Sequence, residues 1–148
     1  MANLIENRKA HFNYEVLDKY NAGMELLGLE VKSLRSGQGS LEGSHITIRG
    51  GEAYLIGAHI PPYQINNTPK DYDSRRNRRL LLTKKEIAEL LGKESKKGLT
   101  IVPLSVYNSK NLIKLEIAVV RGKKKFDKRE TIKKREGERE IRRTLKNS

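Results

Sequence analysis

Two apolar runs late in the chain, LTIVPLSVY at 99–107 and LIKLEIAVV at 112–120, commit its body to β structure. They flank Asn108-Ser109-Lys110-Asn111, a group rich in turn formers. In the second run Ile113, Leu115, Ile117 and Val119 share one face, while Lys114 and Glu116 point away. That period of two is the pattern of a strand with one side buried, so the runs read as a pair of strands.

A second hairpin reads from HITIRGGEAYLIGAHI at 45–60. Gly50-Gly51 supplies the positive φ angles of a tight turn, and Ile46, Ile48, Ala53 and Leu55 line one face. Phe12, Tyr14 and Val16 alternate with polar neighbours and predict another strand; GMELLGLEVKSL at 23–34 continues the extended character, with a bend at Gly28. On that reading Glu30 and Lys32 lie on a solvated strand face. One helix is clear. LTKKEIAELLG at 82–92 opens with the capping box Thr83-x-x-Glu86, carries Ile87, Leu90 and Leu91 as a stripe, and places Gly92 as a C-terminal cap. Several short-spaced strands with one or two helices predict a mainly β fold, a closed or partly closed barrel; an open α+β sheet is the alternative. Between hairpin and helix runs a long loop, 61–79, marked by Pro61, Pro62 and Pro69 and ending in Arg75, Arg76, Arg78 and Arg79 before Leu80–Leu82, which read as buried.

Charge divides the chain. Residues 121–148 hold thirteen Lys/Arg against five Asp/Glu, a net +8 of the whole chain's +13. With few apolar residues this segment predicts a tail, 121–148, disordered when free, behind a body at 1–120. Wound as a helix, it would align Lys124, Lys128, Arg135, Arg139, Arg142 and Lys146 on one stripe, broken only by Thr131. Such a tail is either a solvated end or an arm for a polyanion, where counterion release drives binding. There is no cysteine, hence no disulfide framework or thiolate metal site. The N-terminus has no signal-peptide core, and no apolar run approaches the roughly 20 residues of a membrane span, so a soluble cytoplasmic protein is expected.

No active site emerges. His11, His45 and His59 lack acids or ligands at useful spacing, Gly37, Gly39 and Gly43 do not form a phosphate loop, and no nucleophile–base pair can be named. The expectation is a protein that is not an enzyme and holds no metal or cofactor.

The blocks NRKA (7–10), GLEVKSLRSG (28–37), HIPPY (59–63), RRLLL (78–82), KKGLTIVPLSVY (96–107) and RGKKKFDKR (121–129) together resemble the SmpB family of SsrA-binding proteins, in the family's order and over most of the chain. EVKSLR with GKKxxDKR at this spacing is the specific part. The resemblance implies an oligonucleotide-binding-type β-barrel with peripheral helices and a basic tail that becomes helical on the ribosome. It implies binding to the tRNA-like domain of tmRNA and delivery to stalled ribosomes, where the tail enters the vacant decoding centre and mRNA path and the nascent chain is tagged. Carried over by motif, the tmRNA-facing residues are Asn7, Lys9, Glu30, Lys32, Ser33, Arg35, Arg78 and Arg79. The ribosome-facing ones are Lys123, Lys124, Lys125, Asp127, Lys128, Arg129, Lys133, Lys134, Arg135, Arg139 and Arg142. A monomer with no small-molecule substrate is expected. The chain departs from the family pattern at Asn21, where Glu is usual, and between Tyr63 and Arg79. The rivals are a general RNA-binding barrel of the ribosome or of translation initiation, and an enzyme acting on nucleic acid.

Overall fold

The computed structural model describes residues 3–122. The expectations placed on Lys123 to Arg142 lie outside the described residues. Eleven-residue strands β6 (Leu99–Ser109) and β7 (Leu112–Gly122) pair from Leu99↔Arg121 to Ser109↔Leu112 around a two-residue turn in which Lys110 has φ +54°. β3 (His45–Arg49) and β4 (Glu52–Ile56) form the expected hairpin over Gly50 and Gly51, at φ +56° and +77°. With β1 (Asn3–Glu6), β2 (Tyr14–Met24) and β5 (Arg78–Leu81) they make one antiparallel seven-stranded sheet, ordered β1-β6-β7-β2-β5-β4-β3.

The sheet curls until β3 packs on β6, two strands that share no ladder. Helix α3 (Lys84–Glu94) lies across that seam, touching both. Its Glu94 accepts a hydrogen bond from the Ile48 N–H (3.0 Å), so an edge donor of β3 is covered. The partly closed barrel is therefore the form realised. Inside it, Ile113, Leu115, Ile117 and Val119 of β7 meet Ile46, Ile48, Ala53 and Leu55 of the other hairpin, Leu80 of β5, and Ile87 and Leu90 of α3. On the outer face Val102, Leu104, Ala118 and Val120 are covered by Ala10.

Several sequence expectations are corrected. Phe12 belongs to helix α1 (Arg8–Asn13), and the strand begins only at Tyr14. The stretch at 23–34 is not continuously extended: after β2 ends at Met24, Gly28–Arg35 is helix α2. The buried face of α2 is Glu30, Ser33 and Leu34, so two of its three inward residues are polar and apolar periodicity could not reveal it. Gly92 does not cap α3, which continues to Glu94 because Lys93 is held by Asp18 (2.7 Å) and by the Tyr20 hydroxyl (2.9 Å). The left-handed glycine is Gly98, φ +85°. Leu91 and Leu81 are about half exposed rather than core. Thr83 does form its capping box with Glu86.

Candidate nucleic-acid interface

The interface is built around one carboxylate. Glu30, on the inward face of α2, has no solvent exposure. It accepts from Arg78 Nε and Nη2 (2.9 and 2.5 Å), from Arg76 Nη2 and Nε (2.5 and 3.1 Å), and from the Leu27 N–H (2.8 Å), which it caps at the start of α2. Burial pushes its pKa up, but the bonds from Arg76, Leu27 and Arg78 more than offset that and leave it below the ordinary value. Arg78 is equally buried and spends its remaining donors on Ala58 O (2.7 Å) and Ser74 O (3.0 Å). The Tyr72 hydroxyl donates to Ile60 O (2.7 Å). Ser33 Oγ, also buried, donates to Pro61 O (2.5 Å). These bonds lash both ends of the long loop to α2.

The carried-over residues thus sort into three groups. Glu30, Ser33 and Arg78 are fully buried and reach no surface partner; they hold the loop in place. Asn7 is nearly so. Its side chain donates to Pro103 O (2.9 Å) and its backbone to Leu104 O (2.8 Å), at the point where β6 bulges. A proline cannot donate to the ladder, so the bulge sits there, and Asn7 takes up its carbonyls. In this fold all four side chains are engaged inside the protein. Lys9 and Arg79 are exposed or half-exposed but paired. Lys9 meets Glu42 at 2.6 Å, and Arg79 clasps Glu52 (3.1 and 3.2 Å) and Glu25 (3.0 Å). Lys32 and Arg35 make the third group. They sit three apart on the outward face of α2, and neither forms an ion pair among the described residues. Arg35 Nη2 donates only to Asn111 O (2.9 Å), on the β6–β7 turn.

Across the groove from Lys32 stands Tyr63, which sequence reasoning did not single out. Its signal was an aromatic directly after Pro61-Pro62 in a loop rich in amides. Asn21, at the departure from the family pattern, keeps an acceptor oxygen but no charge, and receives the Tyr107 hydroxyl at 2.7 Å. Among the described residues no three His, Asp or Glu side chains gather as a metal site, and no helix is long and apolar enough to cross a membrane.

The model of the SmpB protein family matches residues 4–147. The chain belongs to the SmpB family. Among its relatives, the SsrA-binding protein of Gloeothece citriformis is 47% identical, with the match spanning 97% of this chain and 92% of that protein. The SsrA-binding protein of Thermosipho melanesiensis is 51% identical over 95% of each. A solved structure described as "tmRNA-SmpB: a journey to the center of the bacterial ribosome" is similar with a TM-score of 0.69 and 45% identity, over 82% of this chain and 85% of that one. The SmpB likeness in that structure extends to the mainly β architecture found here.

Proposed function

We propose that this chain binds the tRNA-like domain of tmRNA and carries it to stalled ribosomes in the cytoplasm, placing its tail in the vacant decoding centre and mRNA path so that the nascent chain is tagged and the ribosome released. The observation that carries the reading is the family match from residue 4 to residue 147, which runs through barrel and tail alike and joins this chain to relatives that are SsrA-binding proteins. The geometry supports a division of labour. Strand β7 ends the described body at Gly122, and a segment of net charge +7 follows it. The body offers Lys32 and Arg35 as cations free to meet phosphate, where neutralisation releases counterions. The buried Glu30–Arg78 pair fixes where those cations stand. The protein acts by binding and placement, as a monomer, without chemistry of its own.

Sequencing the RNA that co-purifies with the protein tests this reading. tmRNA should dominate, and it should outcompete tRNA and bulk RNA for the purified chain. Equal competition by bulk RNA would reduce the protein to a general RNA-binding barrel.

A further inference from the structure

Beside α2 lies a groove of about 300 Å³ whose walls include Leu29 and Lys32 on the helix and Tyr63, Gln64 and Asn67 on the loop. Tyr63 and Lys32 also line a second depression with Arg35 and Ser36. No acidic residue lines either one. Of the loop's arginines, Arg76 and Arg78 are neutralised by Glu30 and Arg79 by Glu25 and Glu52, while Arg75 donates to Gly57 O (3.0 Å). Tyr63 is 44% exposed, and its hydroxyl has no hydrogen-bond partner among the described residues. A half-exposed tyrosine beside two cations outside any ion pair and two side-chain amides is the kit that holds a splayed-out base.

The platform is also stiff. Pro61 and Pro62 precede it, Ser33 grips Pro61 O, and a single 3-10 turn (Ile65–Asn67) closes the loop behind it through Thr68 Oγ1 and Asn67 N on Gln64 O. Asn67 Nδ2 donates to Gln64 Oε1 (2.7 Å), which leaves the Gln64 amide hydrogens and the Asn67 carbonyl open for a base edge. A platform that is already ordered loses little entropy when it is covered.

Resting on the RNA-binding reading above, we propose that Tyr63 is the stacking platform for one unpaired nucleotide of the bound RNA. Lys32 and Arg35 take the phosphates on either side, and Gln64 and Asn67 face the base edge. The site is thus specific for single-stranded nucleotides in a folded RNA, not for duplex.

The test measures equilibrium binding of the full chain to a labelled transcript of the tRNA-like domain of tmRNA, at several salt concentrations. Tyr63→Ala should weaken binding about tenfold while leaving the salt dependence unchanged, because stacking neutralises no phosphate. Tyr63→Phe keeps the ring and should bind within about twofold of wild type. Lys32→Ala should instead flatten the salt slope by about one unit. Thermal melting checks that each variant is folded. If the wild-type chain ignores the transcript, the RNA-binding reading itself fails. If wild type binds and Tyr63→Ala binds equally well, only the platform is overturned. Loss in both Tyr63 variants would assign the contact to the hydroxyl and discard stacking. A poly-glutamate peptide that binds the chain with the same dependence on Tyr63, when RNA binding shows none, would give the groove to an acidic protein partner instead.

Discussion

Glu30 accepts from both Arg76 and Arg78, and removing that one carboxylate strands the Arg78 guanidinium, which has no exposure. Glu30→Gln should therefore cost about 3–5 kcal/mol of stability at neutral pH, the range for breaking a buried pair by losing one partner. The pH dependence has a defined sign. The folded pKa of Glu30 lies below the ordinary value of 4.5, so the unfolded chain takes up the proton first. The stabilisation is full above that value and drains away as pH falls through the lower folded pKa. The gap between the thermal midpoints of wild type and Glu30→Gln should narrow as pH falls below 4.5; a constant gap would mean the pair is not what Glu30 contributes. Charge on the surface makes a second contrast. Arg79 is already shared by Glu25 and Glu52, whereas Lys32 is paired with nothing among the described residues. Arg79→Ala should leave the salt slope of RNA binding nearly unchanged, and Lys32→Ala should lower it by about one unit. Equal slopes for the two variants would mean RNA displaces the carboxylates from Arg79.

At the scale of the element, α3 offers a prediction in which sign alone decides. Gly92 lies inside the helix, without a positive φ, and a methyl built on it meets nothing within 4 Å. Gly92→Ala should stabilise the protein by about 0.5–1 kcal/mol. Gly98→Ala, at φ +85°, should destabilise it by about 1 kcal/mol or more. Chemical denaturation of both variants checks the pair; destabilisation by Gly92→Ala would restore the cap read from the sequence. The same helix shows what a sequence makes legible. Thr83 and Glu86 act on neighbours three residues away, so the helix start could be read directly. The end is set by Lys93 reaching Asp18 and Glu94 reaching Ile48 N, partners far along the chain. The hairpins were legible because every second residue is apolar. α2 was not, because its inward residues include Glu30 and Ser33, whose partners Arg78, Arg76 and Pro61 come from a loop that only the fold brings near. Family motifs name Arg78 and Lys32 alike and cannot tell the buried side chain from the exposed one.

For the whole molecule the question is whether body and tail are separable. Among the described residues both apolar clusters draw on residues 4–120, and the outer one includes Val120. A variant ending at Gly122 should keep the far-ultraviolet spectrum and thermal midpoint of the full chain and still bind the tRNA-like domain. It should fail to add a tag to a stalled nascent chain in a purified translation system. Normal tagging would reduce the removed segment, net +7, to a solvated end. The junction itself is not at an edge. Arg121 pairs with Glu15 of β2 on one side and with Leu99 of β6 on the other, and Gly122 pairs with Tyr14. A pull on the tail along the strand therefore loads two ladders in shear at once, whereas on an edge strand it would load only one. Tension on the tail thus enters the middle of the sheet, at β7 between β2 and β6, and not at a free edge.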